Sequence, residues 1–194
     1  MLVLGPVTNG QDLRVNVYDA KGNLLGSDAP NNDASFTVSL DKAPATSVIR
    51  VVVAPVSGNT GSNDYIGEDG NRYDLLNPVS ALTTFEAGKA STVNVTHYTD
   101  ILARNLVEAK KTTTGEIELS ATELKAASTA FAKALGVATT DTPIEQLHPQ
   151  PTRDAQGNIT TNPDLYGQLL KSVFEQVKAA TATADDKATA VDQT

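Results

Sequence analysis

The feature that most constrains this 194-residue chain is a change in the spacing of its apolar residues at one place. Before residue 98 they alternate with period two; after it they recur every three to four residues. The change falls within residues 91–106. There Val93, Val95 and His97 share one face of an extended segment, and Thr99 is placed to cap a helix whose inner stripe is Leu102, Leu106 and Ala109. An alternating pattern buries one face of a strand, and a pattern near 3.6 residues buries one stripe of a helix. The expected class is therefore α+β. An antiparallel β-sandwich is expected over 1–97, and an α-helical subdomain of about three or four helices packed on it over 98–180. Residues 181–194, mostly Ala, Thr and Asp, read as a flexible tail or linker.

In the β half, Leu13, Val15 and Val17 alternate with Arg14, Asn16 and Tyr18. Asp19-Ala20-Lys21-Gly22-Asn23 has turn composition, and Leu24 and Leu25 restart the chain, so a hairpin is expected over 13–27. Asn31-Asn32-Asp33 is a second turn. Phe36, Val38 and Leu40 alternate against Ser35, Thr37 and Ser39 as a half-buried strand. Residues 48–54 are apolar except for Arg50, which suits a central strand covered on both sides and ended by Pro55. Residues 57–74 read as a long loop with one short strand at Tyr65-Ile66. Residues 74–85 hold one or two strands broken at Asn77-Pro78, and 91–97 is the last strand.

Three stretches of this half resemble the opening of a carboxypeptidase-regulatory-like or Cna-B-like module. They are Gly5-Pro6-Val7, the run from Val15 through Asp19-Ala20-Lys21-Gly22-Asn23 to Gly26, and Ser35-Phe36-Thr37-Val38-Ser39-Leu40. The resemblance covers about residues 5–54. It implies a transthyretin-like (Ig-like) sandwich of the kind repeated in exported bacterial surface proteins. Such modules carry a Gly just before the Phe-type strand, where this chain has Asn31-Asn32-Asp33-Ala34.

In the α half, a first helix is expected from Thr99 to Lys110, with Asp100 in its first turn and Lys110 in its last, as the macrodipole favours. Ser120-Ala121-Thr122-Glu123 has the form of a capping box. It opens a helix with Leu124, Ala127, Phe131 and Leu135 on one stripe, closed by Gly136. Thr142-Pro143-Ile144-Glu145 reads as a second box, opening a short helix stopped by His148-Pro149. A longer helix follows Asn162-Pro163-Asp164, with Leu165, Tyr166, Leu169, Leu170, Val173, Phe174 and Val177 inside. Helices of this length are marginal alone in water, so the stripes must pack on something. The order Val93-Asn94-Val95-Thr96, then Thr99-Asp100-Ile101-Leu102-Ala103, then a helix ending Ala134-Leu135-Gly136-Val137 resembles an arrangement in large proteobacterial lipoproteins and adhesin-like proteins. Those proteins carry Thr-Pro-Leu-Thr where this chain has Thr96-His97-Tyr98-Thr99. The resemblance implies an exported, cell-surface setting and implies no activity.

Composition narrows the function classes. A formal net charge of -8 argues against a nucleic-acid binder, which needs a basic surface. The chain has no cysteine, which excludes a disulfide scaffold and thiolate chemistry. It has no apolar run of the roughly 18 residues a membrane helix needs, and its opening residues lack the basic and apolar regions of a signal peptide.

No catalytic constellation is legible. The histidines, His97 and His148, stand far apart without an HExxH or HxH pairing, and read as a hinge residue and a helix stop. GxSxG and P-loop patterns are absent. Asp64, Asp69, Asn71 and Asp74, with Glu68, cluster in a glycine-containing loop. Such oxygen donors suit Ca²⁺, though the spacing is not that of an EF-hand; solvated turn residues are the rival reading. Tyr65, Tyr73, Tyr98 and Tyr166 are candidates to line a sugar or peptide groove, against ordinary surface packing. The expected role is a non-enzymatic structural or adhesive module of an exported bacterial protein, extracellular, cell-surface or periplasmic, flanked by neighbouring domains. Two alternatives are a carbohydrate- or peptide-binding protein using the β/α junction with Ca²⁺ assistance, and an accessory domain of an extracellular hydrolase. No catalytic or cofactor-binding residue is expected.

Overall fold

The structure, a computed structural model, describes residues 12–31, 34–56, 64–66, 72–75, 77–147, 165–173 and 175–176. The chain divides into two compact units, 1–148 and 149–194. In the first unit the elements run β1 (Leu13–Tyr18), β2 (Leu24–Asp28), β3 (Val48–Pro55), β4 (Tyr65–Ile66), β5 (Arg72–Tyr73), β6 (Val79–Thr84), α1 (His97–Lys110) and α2 (Ala121–Ala134), with a 3-10 turn at Ile144–Gln146. Every named strand precedes residue 85 and every named helix follows residue 96, as the change of period requires.

The main sheet has the order β2-β1-β3-β6, with every neighbouring pair antiparallel. The apolar run of 48–54 accordingly forms the central strand β3, with β1 and β6 beside it. The β1–β2 hairpin is closed by Asp19. Its carboxylate accepts the amide hydrogens of Lys21 (2.9 Å) and Asn23 (2.8 Å) and the Asn23 side-chain amide (2.9 Å), while Gly22 takes a φ of 82°. Burial acts to raise the pKa of Asp19. The Asn23 and Lys21 hydrogen bonds outweigh it and hold the carboxyl below its ordinary value. β4 and β5 form a separate two-stranded ribbon pairing Tyr65 with Tyr73.

The two faces of the main sheet are covered differently. On one, Val15, Val17, Ile49, Val51, Val53, Val79 and Ala81 pack beneath Val93 and Val95, with Phe36, Val38, Leu40 and Phe85 partly buried against them. On the other, Val48 and Leu82 join Ala103, Leu119 and Leu124 under α1 and α2. Residues 36–40 keep the expected alternation, half-buried at even numbers and exposed at Thr37 and Ser39, but form no strand ladder. The expected last strand, 91–97, is reduced to a single bridge residue at Val95, and His97 already belongs to α1.

Both helices depart from the expected stripes. In α1 the buried residues are Thr99, Asp100 and Ala103, while Leu102 and Leu106 are half-buried and Ala109 is exposed. In α2 they are Leu124, Ser128 and Ala132, with Ala127, Phe131 and Leu135 half-buried. α1 turns smaller residues inward, whereas α2 sets Leu124 inward beside Ser128 and Ala132. Polar residues tolerate those positions because each finds a partner. The cap of α1 is Thr96 rather than Thr99. Thr99 Nα–H donates to Thr96 Oγ1 (3.1 Å) and Thr96 Nα–H donates to Thr99 Oγ1 (2.8 Å), a reciprocal box with Thr standing in for the usual Glu. The Ser120–Glu123 box of α2 forms as expected, and Gly136 follows the helix with φ 72°. The expected box at 142–145 does not form. Pro143 precedes a 3-10 turn with no side-chain cap, and the Thr142 hydroxyl pairs with that of Thr140 (2.9 Å).

In the second unit, residues 165–173 are helical. Tyr166 and Leu170, one turn apart, are buried as expected; Leu165 is 48% exposed and lies off the inner face. Phe174, Val177, His148, the Asn162-Pro163-Asp164 start and the tail lie outside the residues whose side chains or placement are described.

Candidate functional site

Buried polar chemistry concentrates where β6, α1, α2 and the 3-10 turn meet. Asp100 lies in the first turn of α1 and is 9% exposed. It accepts the Ser80 amide hydrogen (2.8 Å) and hydroxyl (2.9 Å) on one oxygen, and Arg104 Nε–H (2.6 Å) on the other. The Thr99 hydroxyl shares its proton between the Thr96 carbonyl (2.9 Å) and the Ser80 carbonyl (3.2 Å). Arg104 also donates to the Pro78 carbonyl (3.0 Å). The amide and the carbonyl of Ser80 thus both meet side chains of α1. An edge-strand residue that would otherwise invite another strand is closed off there.

A second fastening joins α2 to the 3-10 turn. The Ser128 hydroxyl donates to Glu145 Oε2 and accepts the Ile144 amide hydrogen (3.0 Å). Glu145 is 5% exposed, and burial lifts its carboxyl above the usual 4.5, against the opposing pull of the Ser128 bond. The Glu145 carbonyl accepts from the Asn94 amide (2.7 Å), and Asn94 Nδ2–H donates to the Leu147 carbonyl (3.0 Å). Asn94 Oδ1 is buried without a partner among the described residues. A Ser–Glu pair has the composition of a nucleophile and its base, but Ser128 is wholly buried and already accepts a backbone proton. A nucleophile must reach its substrate; this hydroxyl is spent on positioning two segments.

Beside this cluster lies an open cleft of about 540 Å³, bounded by the end of β6 and Phe85–Glu86, the first turns of α2 at Thr122 and Lys125, and the segment from Asp141 to Gln146. Its charges are largely matched nearby. Lys133 holds Asp141 (2.6 Å), and Lys89 holds Glu86 (2.7 Å). A second polar recess of about 410 Å³ shares Thr84, Glu86 and Gln146 with it. The walls of the larger cleft offer hydroxyls and one side-chain amide beside the apolar surfaces of Phe85, Ala121 and Pro143, which suits a neutral ligand of mixed polarity better than an ion.

The residues singled out from the sequence are scattered. His97 is half-buried at the first position of α1, where burial lowers its basicity more than Asp100 raises it, leaving a neutral ring at pH 7. Asp64 is buried and accepts the Leu75 amide hydrogen (2.8 Å); Asp74 is half-buried. Glu68, Asp69 and Asn71 lie outside the described residues. No group of three or more His, Cys, Asp or Glu placed to hold a metal occurs among the described residues. Tyr98 is half-buried on α1, Tyr65 and Tyr73 are register partners in the β4–β5 ribbon, and Tyr166 belongs to the second unit. Sequence reasoning missed Asn94, Asp100, Ser128 and Glu145 as a set. The one available signal was the i, i+4, i+8 line Leu124-Ser128-Ala132, a polar residue between two apolar ones at helical spacing.

No family model matches the chain, and neither a curated protein nor a solved structure does. Among the described residues no helix is long and apolar enough to cross a membrane.

Proposed function

We propose that this chain is a non-enzymatic module of an exported bacterial surface protein, a transthyretin-like or immunoglobulin-like sandwich joined to a helical part, with a spacer or adhesive role. The observation that carries the reading is the use made of the buried acids. Asp19 closes a hairpin, Asp100 ties α1 to β6, and Glu145 ties the 3-10 turn to α2. Each is occupied in joining two pieces of chain, which supports a role in mechanical integrity. The layer of extended segments over one face of the sheet supports the sandwich. The charge of -8 and the absence of cysteine suit an exported bacterial module. Labelling intact cells with an impermeant reagent, followed by fractionation, tests the setting. Recovery of labelled protein from the envelope is expected; recovery only in the cytoplasm overturns it. A screen with ester, glycoside and peptide substrates tests the role, and turnover abolished by a single substitution overturns it.

A second reading is favoured by the 540 Å³ cleft at the β/α junction. It makes the module a receptor for a carbohydrate or short peptide, with Ca²⁺ contributing through Asp64, Asp69, Asn71 and Asp74. Calorimetry against glycans and peptides, with and without chelator, separates the two. Heat that saturates and is lost on Thr122→Val supports the receptor.

A further inference from the structure

We propose that the open seam between residues 36–40 and 89–93 is a strand-docking site, whose occupant is an extended segment of another polypeptide with apolar side chains at alternate positions and basic flanks. The seam has a volume of about 370 Å³, within the roughly 300–1,000 Å³ of ordinary binding pockets. Its floor is the sheet, at Val17, Ile49 and Val51; Val38 and Leu40 stand on one side and Val93 on the other. The lining is mainly apolar, so it favours apolar side chains entering from one face of the occupant.

The backbones beside the floor specify what kind of chain enters. Residues 36–40 are laid out with alternate side chains inward and outward, yet none of their main-chain amides or carbonyls bonds to another described residue. On the flank toward β2 they are held close. A Cβ built on Gly26 would meet the Ser39 carbonyl oxygen at 2.3 Å, and the Asp41 amide donates to the Leu25 carbonyl (2.8 Å). On the opposite wall, Ala90 and Thr92 likewise make no backbone bond to a described residue. A row of main-chain donors and acceptors at strand spacing is matched by another extended main chain, with alternate side chains set into the floor. The contrast with β6 is instructive, since there both backbone groups of Ser80 are taken by side chains of α1. The formal charge of -8 supplies the reason for basic flanks, through attraction during encounter. The inference does not depend on where in the cell the protein resides.

The test uses the full chain and a synthetic, end-capped peptide of about ten residues alternating Val and Thr, with Lys at both ends. Fluorescence anisotropy should show saturable binding, and amide exchange at 36–40, Ala90 and Thr92 should slow by about tenfold or more. The same peptide methylated on alternate backbone nitrogens should bind at least about tenfold more weakly, and Val38→Lys should abolish binding. Because Val38→Lys can also disturb folding, the methylated peptide is the decisive arm. Absence of saturable binding, binding indifferent to methylation, or protection confined to other segments each overturns the proposal. Self-association of the chain without peptide, giving the same protection pattern, also overturns it and assigns the seam to a second copy.

Discussion

The two faces of the main sheet solve one problem by different means. On the α1–α2 face the cover is helical, so each covering segment satisfies most of its own backbone and needs only side-chain contact with the strands. The border of that face is closed where Ser80 meets Asp100 and Thr99. On the other face the cover is extended chain, at 36–40 and 93–95, which contributes apolar side chains, and at 36–40 the main chain has no partner among the described residues. The edge of the first face is closed at Ser80, and the second face has a seam along 36–40. A period-two cover needs a ladder to finish it, whereas a helical cover carries its own.

The comparison can be broken most directly by truncating the cores. Leu124→Ala removes a side chain 1% exposed, packed with Val48, Leu82 and Ala103, and should cost about 2–5 kcal/mol in urea unfolding. Val38→Ala, on the seam, should cost about 1 kcal/mol or less, because its site is only half-buried. Equal losses would show that the seam side is as tightly packed as the helix side.

Next in size are two changes at the borders. Asp100→Ala leaves the Ser80 amide and hydroxyl without their acceptor and should cost about 1–3 kcal/mol, with faster exchange of the Ser80 amide. Gly26→Ala forces a Cβ to 2.3 Å from the Ser39 carbonyl and should cost a similar amount, about 1–3 kcal/mol. That change should raise exchange of the Asp41 amide, which donates to the Leu25 carbonyl, and leave α1 and α2 unaffected.

A smaller effect distinguishes the acids. Glu145 has a folded value raised above 4.5, so the folded chain holds its proton more tightly than the unfolded chain. Its contribution is therefore fully present below the unfolded value and is lost as pH rises through the folded one. Glu145→Gln keeps an acceptor for Ser128 and removes that loss. The urea midpoint of the variant should fall less than that of the parent from pH 4 upward. Glu123 behaves oppositely. Its carboxyl, held down to about 2 by Lys110 and Ser120, favours folding above its unfolded value and loses that contribution as pH falls toward 2. Because it is fully exposed, Glu123→Gln should give the smallest shift, vanishing in high salt.

The strands were the most legible part of the chain. Leu13-Val15-Val17 and the apolar run of β3 announce one-faced and two-faced burial directly, and the Asp19–Asn23 turn announces itself by composition. The Ser120–Glu123 cap was equally open to reading, because both partners lie within one turn. The Asp100 and Glu145 fastenings were not. Their partners, Ser80 and Ser128, stand 20 and 17 residues away, and an acid that will be buried looks the same in sequence as one that will face water.

Sequence alone determined which segments extend and which coil, since the spacing of apolar residues and the capping side chains act over a few neighbours and carry their own geometry. Tertiary structure decided which face of each helix turned inward and which strand edge was closed. It also decided that 36–40 would lie along the sheet without joining a ladder. Those outcomes depend on distant groups competing for one volume and for one another's hydrogen bonds, and no local pattern encodes the winner. The inward turn of Thr99, Asp100 and Ala103 in place of Leu102, Leu106 and Ala109 is the plainest case. The specific bonds offered by Ser80, and the close approach that small residues permit, outweighed the larger apolar area of the leucines.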